Sequence, residues 1–415
     1  SSAASDVYKR QGYVVSNEKF FAPIRDVVSM VKLKASYGLV GNDQIGGDRR
    51  FIYNETVIGG GKYYFGTTPS QYTSVRLGEF PNPNVGWEKA KKLNLGADLS
   101  FFNQLNISVD YFKENREGIF LQRKSIPMYV GLSTKPWVNI GKMRNSGIDA
   151  SLEYHQPLGK DLHLTVRGNF TYARNRIMDQ DEPDYAYTYM NHSGQMQWQK
   201  FGLVAAGLFQ DQEDIDSWAK QSFGEVKPGD IKYLDLNGDG IVDNYDTKPI
   251  GYSDIPEIVY GFGFSLQWKA FDLSAFFQGV AHVSFSTLTD QTQAFVGRNL
   301  KESSVFADLY GNTWTPENPG AKYPRMTTGA IDNNNQLSTF WMANGRYLRL
   351  KNLELGYTLP KRIANKIAMQ SLRVYLSGVN LFTFSPFKLW DPDLQTGATN
   401  YPNNRIINLG LTIGF

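Results

Sequence analysis

No cysteine occurs in the 415 residues of this chain. That removes disulfides, thiol nucleophiles and Cys-ligated zinc, though it says little about compartment. There is also no run of 18 apolar residues, so no transmembrane helix is expected. Charge of one sign is scarce. The 43 Lys and Arg stand against 40 Asp and Glu, interspersed, for a net charge of +3. Such a balance leaves no electrostatic footprint for nucleic acid. Histidine is rare too. His155, His163, His192 and His282 are scattered, and none shows the His-Glu-x-x-His spacing of a zinc protease. No Gly-x-Ser-x-Gly elbow is present, and nothing pairs the carboxylates, so an enzyme reading has no residues to rest on. The triple glycine Gly59-Gly60-Gly61 is no phosphate cradle, because no Lys-Ser or Lys-Thr pair follows it. Residues 1–11 fit neither a targeting signal nor the pattern that follows. They read as a foreign lead-in, which would leave the natural N-terminal part missing.

What the chain does have is alternation. Leu162, Leu164, Val166, Gly168, Phe170 and Tyr172 are apolar or small; His163, Thr165, Arg167, Asn169 and Thr171 between them are polar. A β-strand sends successive side chains to opposite faces, so this segment has one apolar and one wet face. Its length is about that of a tilted membrane-crossing strand. The same pattern recurs at 31–39, 93–101, 105–111, 148–154, 262–268, 273–277, near Tyr347, at 372–381 and at 407–415. Asn103-Gln104 predicts a tight turn, 156–161 a second one, and Gly46-Gly47-Asp48 a loop. Between strands the connections alternate in length, with long polar stretches at about 174–199, 210–254 and 286–344. Loops this long are uncommon in compact soluble domains. Short inner turns with long outer loops are expected of a transmembrane barrel, which averages out as hydrophilic. Aromatic content is 14%, which leans the same way, toward interface girdles. Alternation by itself would also suit a soluble sandwich with its apolar faces stacked. Loop asymmetry and a last strand ending in Phe415 favour an all-β, antiparallel up-and-down barrel of about 12 to 14 strands. Helix is expected only at 214–220 and 360–368.

Several segments resemble one family closely. They include Leu93-Asn-Leu-Gly-Ala-Asp98, Arg144-Asn-Ser-Gly-Ile-Asp149, Gly207-Leu-Phe-Gln210 and Gly229-Asp-Ile-Lys-Tyr-Leu-Asp-Leu-Asn-Gly-Asp-Gly240. Pro249-Ile-Gly251, Tyr260-Gly-Phe262, the stretch from Tyr347 to Pro360, and Asn380-Leu-Phe-Thr383 continue the set in order. Together they resemble the SusC/RagA-type TonB-dependent transporters of the Bacteroidetes outer membrane. The resemblance implies that residues 12–415 are the C-terminal part of a 22-stranded barrel whose plug and early strands are absent. It further implies an outer-membrane channel energised through the TonB complex, which works with a SusD-like surface lipoprotein and imports glycan or peptide. Two other readings stay open: a passive porin or structural barrel, and a soluble secreted, calcium-stabilised glycan-binding β-protein.

Two local sites stand out. Asp235, Asn237 and Asp239 occupy positions 1, 3 and 5 of an EF-hand-type loop, with Gly240 at 6, the Ile241 carbonyl at 7, Asp243 at 9 and Asp246 at 12. Oxygen ligands suit a structural Ca2+ ion. The final Asp is shorter than the usual Glu, and no amphipathic helix precedes the loop; a polar turn held by side-chain-to-backbone hydrogen bonds is the plain alternative. The second site is an aromatic loop, Tyr185, Tyr187, Tyr189 and Trp198, able to stack on sugar rings, contact a partner, or simply pack. Trp314, Trp341 and Trp390 carry the same ambiguity.

Overall fold

The computed structural model describes residues 7–43, 51–68, 70–132, 134–289, 292, 306–327, 329–367, 369–397 and 400–414. Gly46-Gly47-Asp48, Ala368 and Phe415, all invoked above, lie outside the described residues. Eleven strands form one antiparallel sheet in which sequence neighbours are spatial neighbours. They are β1 (Val7–Val14), β2 (Val28–Asn42), β3 (Glu88–Phe101), β4 (Leu105–Gln122), β5 (Trp137–Leu158) and β6 (Leu162–Asp179). The rest are β7 (Ile258–Trp268), β8 (Phe271–Ala281), β9 (Tyr347–Thr358), β10 (Ser371–Phe384) and β11 (Ile406–Gly414). This meander is the connectivity of an up-and-down barrel wall.

The register shows why alternation writes this sheet. Leu266 of β7 sits opposite Leu164 of β6 and Leu273 of β8. Leu273 is opposite Leu355, Leu355 opposite Leu376, and Leu376 opposite Leu409. One apolar row thus crosses six strands. It is not a core: Leu355 is 51% exposed, Leu376 49% and Leu409 78%. Among the described residues nothing covers these leucines, and a row of bare leucines across a sheet calls for hydrocarbon rather than water. At the short-turn end the ring centres of Trp268 and Phe271 are 6.2 Å apart, and those of Phe271 and Tyr357 4.7 Å. That is the kind of aromatic band barrels place at an interface.

The opposite face is polar and cross-linked. Lys34 reaches Asp98 at 2.7 Å and Asp110 at 3.0 Å. Arg167 meets Glu153 at 2.8 Å, and Arg373 holds Asp272 and, at 2.6 Å, Glu354. Pairs that bridge adjacent strands, or reach across one, on a polar surface each add little stability, but they keep the face hydrophilic.

The two ends of the sheet differ. One end carries short links: 102–104 between β3 and β4, 159–161 between β5 and β6, and 269–270 between β7 and β8. In the first, Phe102 and Asn103 both have positive φ (53° and 54°), and the Gln104 N–H donates to the Phe101 carbonyl at 2.9 Å. Two left-handed residues in a row make the turn whose twist matches antiparallel strands. The other end carries the long connections 43–87, 180–257, 282–346 and 385–405.

Several sequence expectations are adjusted. The sheet has eleven strands among the described residues, fewer than the about 12 to 14 anticipated. Other extended segments belong to the outer connections, where they pair locally as two-stranded sheets such as 57–65 with 70–77. Strand pairing continues through Leu158, so the turn expected at 156–161 shrinks to 159–161. The expected helices are short: Gln212–Ser217, and Lys361–Ala364 followed by a 3-10 turn. The first starts earlier than anticipated because Asp211, not a later residue, caps it by accepting from the Asp214 N–H. Residues 7–11, set aside above as part of a lead-in, take part in β1, paired with β2.

The larger buried cluster lies outside the sheet. Leu203, Leu208, Ile231, Tyr233, Val242, Leu309, Trp314, Tyr323 and Trp341 pack into one cluster, and all come from the connections 180–257 and 282–346. Two long loops therefore fold on each other as a compact outer unit.

Candidate functional site

The outer unit is joined by backbone first. The Leu203 N–H donates to the Leu337 carbonyl, and the Thr339 N–H returns to the Leu203 carbonyl, each at 2.9 Å. A buried polar core then locks the two loops. Asp230 is fully buried; its carboxylate lies 2.8 Å from Arg325 Nε and accepts from Asn334 Nδ2 at 2.9 Å and from the Lys227 N–H at 2.8 Å. Asn334 Oδ1 accepts the Ile231 N–H at 2.8 Å, and Asn333 Nδ2 donates to the Ile231 carbonyl at 2.7 Å. Every one of these bonds except that from Lys227 crosses between the loops. A buried carboxylate is tolerable only when paired and hydrogen-bonded in this manner. Tyr233 donates its hydroxyl to the Asn333 carbonyl at 2.9 Å, and burial pushes its phenol well above the usual range. On the rim, Lys322 and Tyr323 both donate to Asp308 at 2.6 Å; these bonds hold the Asp308 carboxyl below its ordinary value.

The unit is also tied to the sheet. Glu257, 4% exposed, lies 3.0 Å from Arg174 of β6 and 3.0 Å from His282 just beyond β8. His282 stacks on Tyr252 with ring centres 4.7 Å apart. At the next junction, Arg349 of β9 is 2% exposed and pairs with Asp391 and, at 3.2 Å, Asp393 of the connection 385–405.

Both sites singled out from the sequence fall on the outer unit, and the structure brings them together. Tyr187 and Tyr189 stack nearly parallel, with ring centres 5.4 Å apart, and Tyr187 meets Tyr245 edge-on at 6.2 Å. The Tyr189 hydroxyl donates to the Tyr245 carbonyl at 2.7 Å. Tyr245 belongs to the acidic loop, so the aromatic segment lies across it. Burial, then the charge of Asp246 with smaller shares from Tyr187, Asp235 and Asp239, raises the Tyr189 phenol. Tyr185 leans instead toward His192, at 6.0 Å, and His192 stacks on Phe201 at 3.9 Å. Trp198 stands apart from this cluster, 61% exposed and with φ of 66°. Trp314 and Trp341 prove to be core residues of the outer unit, and Trp390 packs against Phe387 at 4.7 Å.

The acidic loop is built by its own side chains. Asp235 accepts from the Gly238 and Gly240 N–H groups at 2.7 and 2.8 Å. Asn237 Oδ1 accepts from Asp239 N–H at 3.0 Å, and Asp239 Oδ1 from Ile241 N–H at 2.8 Å. Asp243 caps the 3-10 turn that follows, accepting from Tyr245 N–H at 2.7 Å. Asp246 is fully buried beneath the loop and accepts from the Leu236 N–H at 2.6 Å and the Asp243 N–H at 2.8 Å. Gly238 and Gly240 have φ of 79° and 87°, a left-handed conformation that explains glycine at both positions. The donors are all oxygens, the type a calcium ion takes. Among the described residues no three His, Cys, Asp or Glu side chains gather as a metal cluster. The loop's shape is accounted for by hydrogen bonds.

Sequence reasoning missed Asp230, Arg325, Asn333 and Asn334. They join positions about a hundred residues apart with no local spacing to betray them. The one available hint is that Asp230 falls within the 229–240 segment quoted above.

Comparison with known proteins agrees with this architecture. A family model described as TonB dependent receptor-like, beta-barrel, matches residues 52–381. TonB-dependent receptor P3 of Formosa agariphila is 29% identical over 417 residues, covering 94% of this chain and 40% of that protein. TonB-dependent receptor SusC of Bacteroides thetaiotaomicron is 26% identical over 431 residues, covering 97% of this chain and 39% of that protein. A solved structure of the RagAB peptide transporter superposes with a TM-score of 0.72 at 22% identity, covering 99% of this chain and 43% of that one. The chain thus spans about two fifths of the length of the curated relatives it matches.

Proposed function

Because the chain belongs to the TonB-dependent receptor-like β-barrel family, and so to the bacterial outer membrane, we propose that it serves as part of an import channel energised through TonB. The observation that carries this reading is the two-faced sheet: a bare leucine face on one side, a charged and hydrated face on the other, and a folded outer unit at its long-loop end. By the usual arrangement of such barrels the long loops face outward and the short turns face the periplasm. A SusD-like surface lipoprotein is the proposed partner at the outer unit, and glycan or peptide the proposed cargo.

The rival, a passive porin, predicts a different dependence on energy. In cells carrying the full-length protein, a protonophore should reduce uptake of labelled cargo to the level of cells lacking it. Uptake that persists with the proton gradient collapsed would favour the porin.

We propose in addition that the acidic loop takes a Ca2+ ion, supported by the run of oxygen-bearing side chains Asp235, Asn237 and Asp239, of which Asp239 is exposed and the other two half-buried. Isothermal titration with calcium should give heat that Asp239→Ala abolishes. A wild-type titration without heat would leave the loop as a hydrogen-bonded turn.

A further inference from the structure

A groove of about 240 Å3 opens on the leucine side of the sheet, at its long-loop end. Tyr260 of β7, Ala281 of β8, Leu348 of β9 and Phe384 of β10 line it, and Arg346, the residue before β9, joins them. Register puts the groove on the apolar face. Tyr260 lies opposite Phe170 and Gly279, and Leu348 opposite Gly279 and Phe384. Gly279 makes the space: a Cβ there would stand 2.3 Å from Cζ of Tyr260, whose ring crosses the strand at that point. Phe382 and Phe384 are 56% and 61% exposed, and the Arg405 guanidinium sits 5.8 Å from the ring centre of Phe382.

Two exposed arginines beside a lipid-facing surface call for a physical reason. Arg346 precedes Tyr357, of the aromatic band at the short-turn end, by eleven residues along the same strand. At about 3.3 Å per residue and about 40° of tilt, that separation spans about 28 Å of height. An apolar band is about 25 Å tall, so Arg346 falls at the far headgroup level and not in hydrocarbon. Its backbone is fixed: the N–H donates to Asn344 Oδ1 at 3.1 Å, and the carbonyl accepts from the Ser385 hydroxyl at 2.9 Å. Among the described residues neither Arg346 nor Arg405 pairs with a carboxylate. No Asp or Glu lines the groove, and the acids of the neighbouring connection, Asp391 and Asp393, are taken by Arg349 on the opposite face. An apolar groove with uncompensated guanidinium groups at headgroup level complements an amphiphile that has acyl chains and an anionic head. The planar donor fork of arginine suits phosphate above other anionic heads. With the long loops facing outward, this level belongs to the outer leaflet, whose phosphate-bearing amphiphile in a bacterial outer membrane is the glycolipid lipid A. We propose that the groove holds an acyl chain of this phosphoglycolipid, with its phosphate received by Arg346 and Arg405 serving as a second cationic anchor. The proposal needs only the membrane placement of the sheet and goes beyond the import reading.

The test uses the full-length protein in detergent, titrated with lipid A, with the same lipid after its phosphate is removed, and with inorganic phosphate. Native mass spectrometry counts the retained ligand. Lipid A should bind, its phosphate-free form should bind roughly tenfold more weakly or worse, and inorganic phosphate should not be retained. Arg346→Glu combined with Arg405→Glu should weaken lipid A binding roughly tenfold or more, whereas Arg346→Lys, which keeps the charge, should retain most of it. Ala281→Trp, which fills the groove, should weaken both lipids. Lys269→Glu, the same change of charge at the short-turn end, should bind like wild type. Resistance to unfolding in detergent is the fold control for each variant. Equal binding of the two lipids, a folded double variant that holds lipid A like wild type, or retention of inorganic phosphate alone would overturn the proposal. Uptake is not read in this experiment, so the importer reading stands or falls separately, on the protonophore result.

Discussion

Asp230→Ala in the full-length protein should destabilise the outer unit by about 3–5 kcal/mol, the cost of leaving one member of a buried ion pair uncompensated. The Arg325 guanidinium would lose its only carboxylate partner among the described residues, 2.8 Å away. Asn334 Nδ2 and the Lys227 N–H would lose an acceptor as well. The damage should be local. Trp314 and Trp341 report on the outer core, so their fluorescence should shift and loops 180–257 and 282–346 should become protease-sensitive. The sheet, held by its own ladder, should still resist unfolding in detergent. The combined Asp230→Asn, Arg325→Met protein should recover much of the loss, because it buries no charge. Protease resistance equal to wild type in the Asp230→Ala protein would show that the two loops do not depend on this pair.

The sheet was readable from sequence because its signal has a period of two and repeats. Leu164 and Leu266 were placed on one face by alternation, and the register sets them directly opposite each other. Local spacing also found the acidic loop, since its side chains bond to backbone groups only two to ten residues away. It could not find what holds the outer unit together. Asp230 and Arg325 are ordinary charged residues in polar stretches until the fold brings them together, and Trp314 looks like any loop aromatic. The same limit applies to the aromatic segment: Tyr187 and Tyr189, two residues apart, stack on each other, but their partner Tyr245 lies in another part of the chain. Trp198, grouped with them on composition, points elsewhere because proximity in sequence decides little outside a regular strand.

The assignment of faces carries the remaining weight, and one strand can test it. Val166 lies on the leucine side of β6, opposite Phe264 of β7 and Tyr154 of β5. Thr165, one residue earlier, faces the charged side, where His155 Nδ1 lies 3.1 Å from its hydroxyl. If hydrocarbon covers the first face, Val166→Arg should destabilise the full-length barrel by about 2–4 kcal/mol near the bilayer midplane. A guanidinium there has neither water nor a partner carboxylate. Thr165→Arg should cost far less, because water and the Glu153 carboxylate on the same face can receive it. The measurement is reversible unfolding of each protein from lipid vesicles by denaturant. Were the two substitutions to cost the same, neither side of the strand would be meeting hydrocarbon, and the leucine row from Leu164 to Leu409 would need another protein surface to cover it. Two stacked sheets would give a third pattern, in which Val166→Arg is disruptive in aqueous buffer without any lipid present. The vesicle and detergent-free experiments together therefore separate a membrane wall from a soluble sandwich by one side chain and its neighbour.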